Sequence, residues 1–193
     1  MKTVYLDNAA TTQMDPQVIE TMKEVIENEY GNPSSIHGPG RKSRTIIERS
    51  RKKVAELMGV SPGEIFFTSG GTEADNMAIA CSVYDQGVNH VITSSIEHHA
   101  VLHAVQRVQN VNHIKVSYVK LKEDGSIDIT DLERILSENK NDKILVSLMH
   151  ANNEIGNLLD LKKVGDLCKE YDALFMSDTV QTVGHLPVHF KEW

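Results

Sequence analysis

The stretch His90–Val108, "HVITSSIEHHAVLHAVQRV", decides the fold. Its opening "HVITS" is short, largely apolar and β-branched, the composition of a strand. Val101, Leu102, Val105 and Val108 then recur at helical spacing. Between strand and helix lies the polar segment "SIEHHAV" (95–101). The same order repeats. "EIFFT" (64–68) precedes a helix whose Ala74, Met77, Ala78, Cys81 and Tyr84 share a face. "IKVSYV" (114–119) leads through the Asp124-Gly125 turn to Leu132, Ile135 and Leu136. "KILVSLM" (143–149) precedes a helix with Leu161, Val164, Leu167 and Cys168, and "ALFMS" (173–177) is the last strand. Five strands alternating with helices predict an α/β fold, a mostly parallel sheet with helices on both faces.

Upstream, "DPQVIETMKEVIENEYG" predicts a helix capped by Asp15, with Pro16 in its first turn and Val18, Met22 and Val25 on one face. "GNPSSIHGPG" reads as a turn-rich loop, and a second helix runs from about Arg41 to Met58, closed by Gly59.

The 193 residues suit one domain or a large piece of one, and 40% hydrophobic with 24% charged residues is globular usage. A net charge of −7 argues against nucleic-acid or anionic-membrane partners. The basic run Arg41–Lys53, broken by Ile46, Ile47 and Glu48, reads as a solvated helix face. Cys81 and Cys168 sit in apolar contexts without the spacing of a disulfide or metal pair, and are expected to be inert core thiols. No apolar run suits a secretion signal or a membrane span, so a cytoplasmic location is expected.

Ligands of open parallel sheets bind beyond the carboxyl ends of the strands. Four polar segments follow strands: "SGGTEADN" (69–76), "SIEHHAV" (95–101), "HANNEIG" (150–156) and "DTVQ" (178–181). In the first, Gly71 and Thr72 at a helix start suit an anion such as phosphate, although the segment is neither a P-loop nor GxGxxG. A plain cap by Thr72, with Asp75 in the first turn, is the alternative. His99 and His103 are four apart on one helical face, but no third metal ligand is indicated, and no metal is expected. His98 either caps its helix or lays its ring on a flat ligand. Asp178, a carboxylate at the end of a buried strand, calls for a cationic partner such as a protonated ring nitrogen.

These segments together describe a site for pyridoxal 5'-phosphate, and the chain resembles the cysteine desulfurases of the NifS/IscS type, in the class V aminotransferase superfamily. "YLDNAATT", "GNPSSIHGPG", "FTSGGTEADN", "EHHAVL", "HANNEIG" and the Asp178/Gln181 pair carry the resemblance, in the family's order and nearly end to end. It implies the large domain of fold-type I enzymes, with phosphate at Gly71 and Thr72 and a catalytic His98 stacked on the ring. It further implies Asn153 and Gln181 near the phenolic oxygen and Asp178 on the ring nitrogen. The implied substrate is L-cysteine, whose sulfur passes as a persulfide to an acceptor or iron–sulfur scaffold protein, in an enzyme that is a homodimer. Thr179 stands where the family usually has alanine, and Ala74 where it usually has serine.

The same resemblance implies something outside residues 1–193. The family's cofactor-tethering lysine, in a Ser-x-His-Lys segment, its nucleophilic cysteine and its carboxylate-binding arginine are not found in these residues. Lys162 and Lys163 are poor substitutes. The chain is therefore expected to be an N-terminal segment plus most of the cofactor-binding domain, inactive without a C-terminal portion of the same enzyme. The alternatives are a non-catalytic cofactor- or scaffold-binding module, and a sister activity such as selenocysteine lyase or aminotransferase.

Overall fold

The structure, a computed structural model, describes residues 3–187 and Phe190. The chain divides into two compact units, Met1–Phe66 and Phe67–Trp193.

The first unit holds two helices. In α1 (Pro16–Asn28), Asp15 accepts a hydrogen bond from the Gln17 N–H at 2.8 Å and Pro16 presets the first φ, as expected. Its apolar face is not covered among the described residues, since Val18, Met22 and Ile26 are exposed. α2 (Gly38–Met58) begins three residues before its predicted start, because "GPG" is its first turn rather than loop. His37 caps it through Nδ1, Pro39 suits the first turn, and a Cβ on Gly40 would meet Asn32 O at 2.5 Å. Gly59, at φ 67°, closes the helix as predicted.

The predicted strand 64–68 is not formed. A 3₁₀ turn at Pro62–Glu64 is followed by extended backbone at Ile65, with no ladder partner among the described residues. Strand propensity alone does not make a ladder, and among the described residues no strand lies alongside to complete one; Phe66 and Phe67 stand 71% and 52% exposed.

In the second unit the four remaining strands form as predicted, each shortened at one or both ends. They are β1 (His90–Thr93), β2 (Lys115–Tyr118), β3 (Ile144–Ser147) and β4 (Leu174–Met176). They build one parallel sheet in the order β2-β1-β3-β4, with His90 opposite both Lys115 and Ile144. The pleat sends Val91 and Leu145 to one face, packed with α3 (Gly71–Tyr84) and α4 (His99–Asn112). It sends Ile92, Ile144 and Val146 to the other, packed with α5 (Ile129–Glu138) and α6 (Leu161–Glu170). Helices thus cover both faces, as the alternating pattern requires.

The buried face of α3 differs from the predicted one. Asp75, Ile79 and Val83 are buried, while Met77, Cys81 and Tyr84 are exposed. "MAIACSVY" is apolar almost all round, so its periodicity does not single out a face. Cys81 is consequently a surface thiol, its pKa raised by a hydrogen bond to Asp85. Cys168 is the core thiol expected, buried between α6 and the sheet and pushed up to about 12 by burial. Among the described residues, no helix is long and apolar enough to cross a membrane.

Candidate functional site

Each polar segment begins where a strand or extended run stops. At the start of α3, Gly70 is the N-cap residue and, lacking a side chain, caps nothing. Thr72 is therefore not the cap. It lies exposed in the first turn, beside N–H groups and the positive end of the helix dipole. A Cβ on Gly71 would meet Val180 Cγ2 at 2.9 Å, so glycine there lets the helix start lie against the loop after β4. Glu73 turns back instead, accepting from the Ser69 N–H at 2.6 Å, and the Ser69 hydroxyl together with that N–H lowers its pKa.

After β1, the buried Ser94 Oγ donates to Glu97 Oε1 at 2.6 Å. His98 then caps α4, with its Nδ1 accepting from the Ala100 N–H at 3.2 Å. The two readings left open for His98 are compatible, because capping occupies one ring nitrogen and leaves the exposed ring face open. His98 and His99 have ring centroids 6.2 Å apart, and His99 and His103 5.6 Å. No cluster of three metal-ligating side chains occurs among the described residues.

After β3, the buried His150 donates its backbone N–H to Asp178 O at 2.9 Å, and its Nδ1 lies 2.8 Å from Thr182 Oγ1. Asn152, buried, reaches back to Ile96 O at 2.7 Å, while its Oδ1 accepts from the N–H groups of Glu154 and Ile155. Asn153 is half-buried, its amide 3.4 Å from Glu154 Oε1, and so carries little of the loop's own structure. After β4, the buried Asp178 accepts from the Val180 N–H at 2.9 Å, and the Thr179 carbonyl accepts from the Thr182 and Val183 N–H groups. Gln181 is half-buried in this turn.

Three links tie the four junctions together: 94–98 to 150–155 through Asn152, 150 to 178–182 through His150, and 71 to 180 through close packing. Electrostatics confirms the gathering. Burial pushes Asp75 up to about 6 and Glu97 to about 7, and both also feel the negative charge of Asp178. Among the described residues no basic side chain shifts either group. Such an arrangement of buried acids favours a cation.

Sequence reasoning missed Asp75, Glu97, Asn152 and His150. The cap pattern shows Asp75 only as a first-turn acid, although its spacing to Ile79 and Val83 places it on the core face. Ser94 and Glu97, three apart across a strand end, were the signal available for the buried acid.

The comparisons with known proteins agree with this geometry. The "Aminotransferase class-V" family matches residues 4–193. A protein of Dictyoglomus turgidum described as "Cysteine desulfurase IscS" is 45% identical over 98% of this chain and 48% of its own length. The solved structure "NIFS-LIKE PROTEIN" superposes with a TM-score of 0.89 at 37% identity, over 98% of this chain and 52% of the other. "SspA in complex with cysteine" reaches 0.90 at 30% identity, over 98% and 54%. This chain spans about half the length of the curated relatives it matches. The matched family is one of pyridoxal-phosphate enzymes, and an uncapped helix start beside a buried carboxylate group fits that cofactor's phosphate and ring nitrogen. The chain belongs to the class V aminotransferase family.

Proposed function

We propose that this chain is the cofactor-holding portion of a cysteine desulfurase, which takes sulfur from L-cysteine, leaves L-alanine and passes a persulfide to an acceptor such as an iron–sulfur scaffold protein. The observation that carries this reading is the set of buried carboxyls Asp75, Glu97 and Asp178, with no basic side chain among the described residues shifting Asp75 or Glu97, lying near the α3 start through the Gly71–Val180 approach. The IscS and NifS-like relatives support it.

In this reading Asp178 pairs with the protonated ring nitrogen of pyridoxal 5'-phosphate. Thr72 Oγ1 and the N–H groups of Gly71 and Thr72 take the phosphate. His98 lies on the ring. Its Nδ1 is engaged by Ala100, so the neutral imidazole carries its proton on Nε2, the atom left to exchange a proton with substrate. Asn153 and Gln181 donate near the phenolic oxygen. The Asn152 and His150 bonds fix the loops that carry them. When bound, the cofactor supplies an electron-withdrawing ring that makes bonds at an amino acid's α-carbon labile.

Turnover in this reading also needs a tethering lysine and a nucleophilic cysteine from a C-terminal portion of the enzyme, which as a complete enzyme is a cytoplasmic homodimer. Titrating the 193-residue chain with pyridoxal phosphate and following its visible absorbance tests the assignment. Reversible binding is expected, lost in Asp178→Ala and Thr72→Ala, with no sulfide released from cysteine. Adding a C-terminal polypeptide that supplies the lysine and cysteine should produce sulfide and a borohydride-fixed cofactor on that second polypeptide. No binding by the wild-type chain, or binding indifferent to Asp178→Ala, would sink it.

A further inference from the structure

Glu97 belongs to the buried carboxyls at the sheet's carboxyl end, yet no contact with the cofactor is assigned to it above. It is 6% exposed; Ser94 Oγ donates to its Oε1 at 2.6 Å, and its Oε2 has no partner of hydrogen-bond geometry among the described residues. Glu97 also lines a cavity of about 250 Å³ bounded by Ile96, Met149 and Asn152, which reaches the exposed Lys122 and Lys163. An orphaned carboxyl oxygen in so buried a position is costly as an anion and far less so as an acid.

We propose that Glu97 is a positioning residue for the cation that Asp178 faces: it holds a proton while the site is empty and releases it to solvent when a cationic ring seats, so that the negative charge of the group rises to match the ligand. This rests on the assignment of Asp178 to the ring nitrogen. The chemistry is a single proton transfer. The Glu97 O–H bond breaks, its electron pair stays on the carboxylate, and the proton leaves through the cavity by way of water.

The groups facing Glu97 set the sign. Asp75 from α3 and Asp178 from the loop after β4 oppose a charge on Glu97, as does burial, the largest cause. Ser94 and the Met149 N–H favour the charge without prevailing, which puts Glu97 at about 7. Lys122, Lys163 and Asp160 line the same cavity, and none of them is among the causes that shift Glu97. A cation at Asp178 offsets the like-charge repulsion and drives the proton off. Asp75, at about 6, responds in the same direction and more weakly near neutral pH.

Two measurements on the 193-residue chain test this. The infrared spectrum without ligand should show the carbonyl stretch of a protonated carboxylic acid that titrates near 7, is absent in Glu97→Gln and moves to lower pH in Asp75→Asn. Pyridoxal 5'-phosphate is then titrated in weakly buffered solution at about pH 6, where the acid is mostly protonated. The wild type should release up to about one proton more per cofactor bound than Glu97→Gln, and the cofactor's own titrations cancel in that difference. No protonated carboxyl in the wild-type spectrum overturns the proposal even if Glu97→Gln fails to fold. Equal proton release overturns it while leaving the cofactor site intact. Absence of cofactor binding overturns the site assignment itself, and the release step with it.

Discussion

The two ends of the parallel sheet both bury titratable groups, and they treat them in opposite ways. At the amino end of β1, His90 is fully buried, yet its Nε2 lies 2.8 Å from Ser117 Oγ and its Nδ1 3.2 Å from Asp142 Oδ2. Asp142 in turn meets Lys115 at 3.5 Å. Asp142 thus carries its charge beside a base of the same chain, while burial holds His90 below its usual pKa. At the carboxyl end, among the described residues, no basic side chain shifts Asp75 or Glu97; burial and the charge of Asp178 drive both toward the protonated state. Charge balanced locally serves the fold. Charge left in excess is what a protein keeps for a ligand, because folding alone would remove it.

The largest expected effect comes from exchanging one carboxylate for an amide at each end. Asp178→Asn keeps the oxygen that accepts from Val180 but removes the charge, so pyridoxal phosphate should bind about 100-fold more weakly, or ~2.7 kcal/mol. The empty chain should be no less stable, since Glu97 and Asp75 lose a like charge. Asp142→Asn should do the reverse, lowering stability by about 0.5–1 kcal/mol with cofactor affinity changed less than about twofold. Urea midpoints and cofactor titrations on both variants decide it. A loss of stability in Asp178→Asn as large as in Asp142→Asn would erase the contrast between the ends.

A smaller effect is a pair of opposed pH slopes. Glu97 rises from 4.5 unfolded to about 7 folded, so its stabilising contribution is complete below 4.5 and lost as pH rises through 7. Asp75 acts likewise between 3.8 and about 6. His90 is held below its usual 6.5, chiefly by burial, so its contribution is complete above 6.5 and lost as pH falls. The buried His150 adds to that direction. Between 4.5 and 6.5 the acids at the site end and the histidines therefore pull stability in opposite senses. Glu97→Gln should steepen the loss of stability on acidification, its gap to wild type changing by about 2–3 kcal/mol between the two ends of the Glu97 window. His90→Gln should leave a chain whose stability falls more steeply as pH rises. Parallel profiles for wild type and Glu97→Gln would show that Glu97 does not hold its proton.

The ends also differ in how much of them the sequence discloses. Strand-then-helix alternation located β1 to β4 and α4 to α6, because each has a clear apolar period and a polar junction. The polar junctions proposed as the site were legible for the same reason: Thr72, His98, Asn153 and Asp178 all fall where a strand or extended run stops. Three things were not legible. The strand expected at 64–68 depends on a partner that local propensity does not name. The face of α3 depends on which side of an all-apolar helix meets the sheet, and that choice also decided Asp75 and Cys81. Glu97 and His150 carry polar side chains into the interior, and only the partner atoms supplied by the fold show why they are tolerated there.

The smallest effect separates two neighbours within the site end itself. His98 caps α4 through Nδ1, and the structure assigns no backbone bond of this kind to His99, which is exposed and faces the rings of His98 and His103. His98→Ala removes the cap, at about 1 kcal/mol of stability, and with it the ring proposed to lie on the cofactor. His99→Ala removes an exposed imidazole in the first turn of a helix and puts in a better helix former, a change within about 0.5 kcal/mol of zero. Cofactor affinity should follow the same split, dropping in His98→Ala and holding within about twofold in His99→Ala. Thermal melts and cofactor titrations of the two variants side by side make the comparison. If His99→Ala weakened cofactor binding as much as His98→Ala, the ring contact would belong to the pair of histidines, and the polar end of the sheet would extend one residue further along α4.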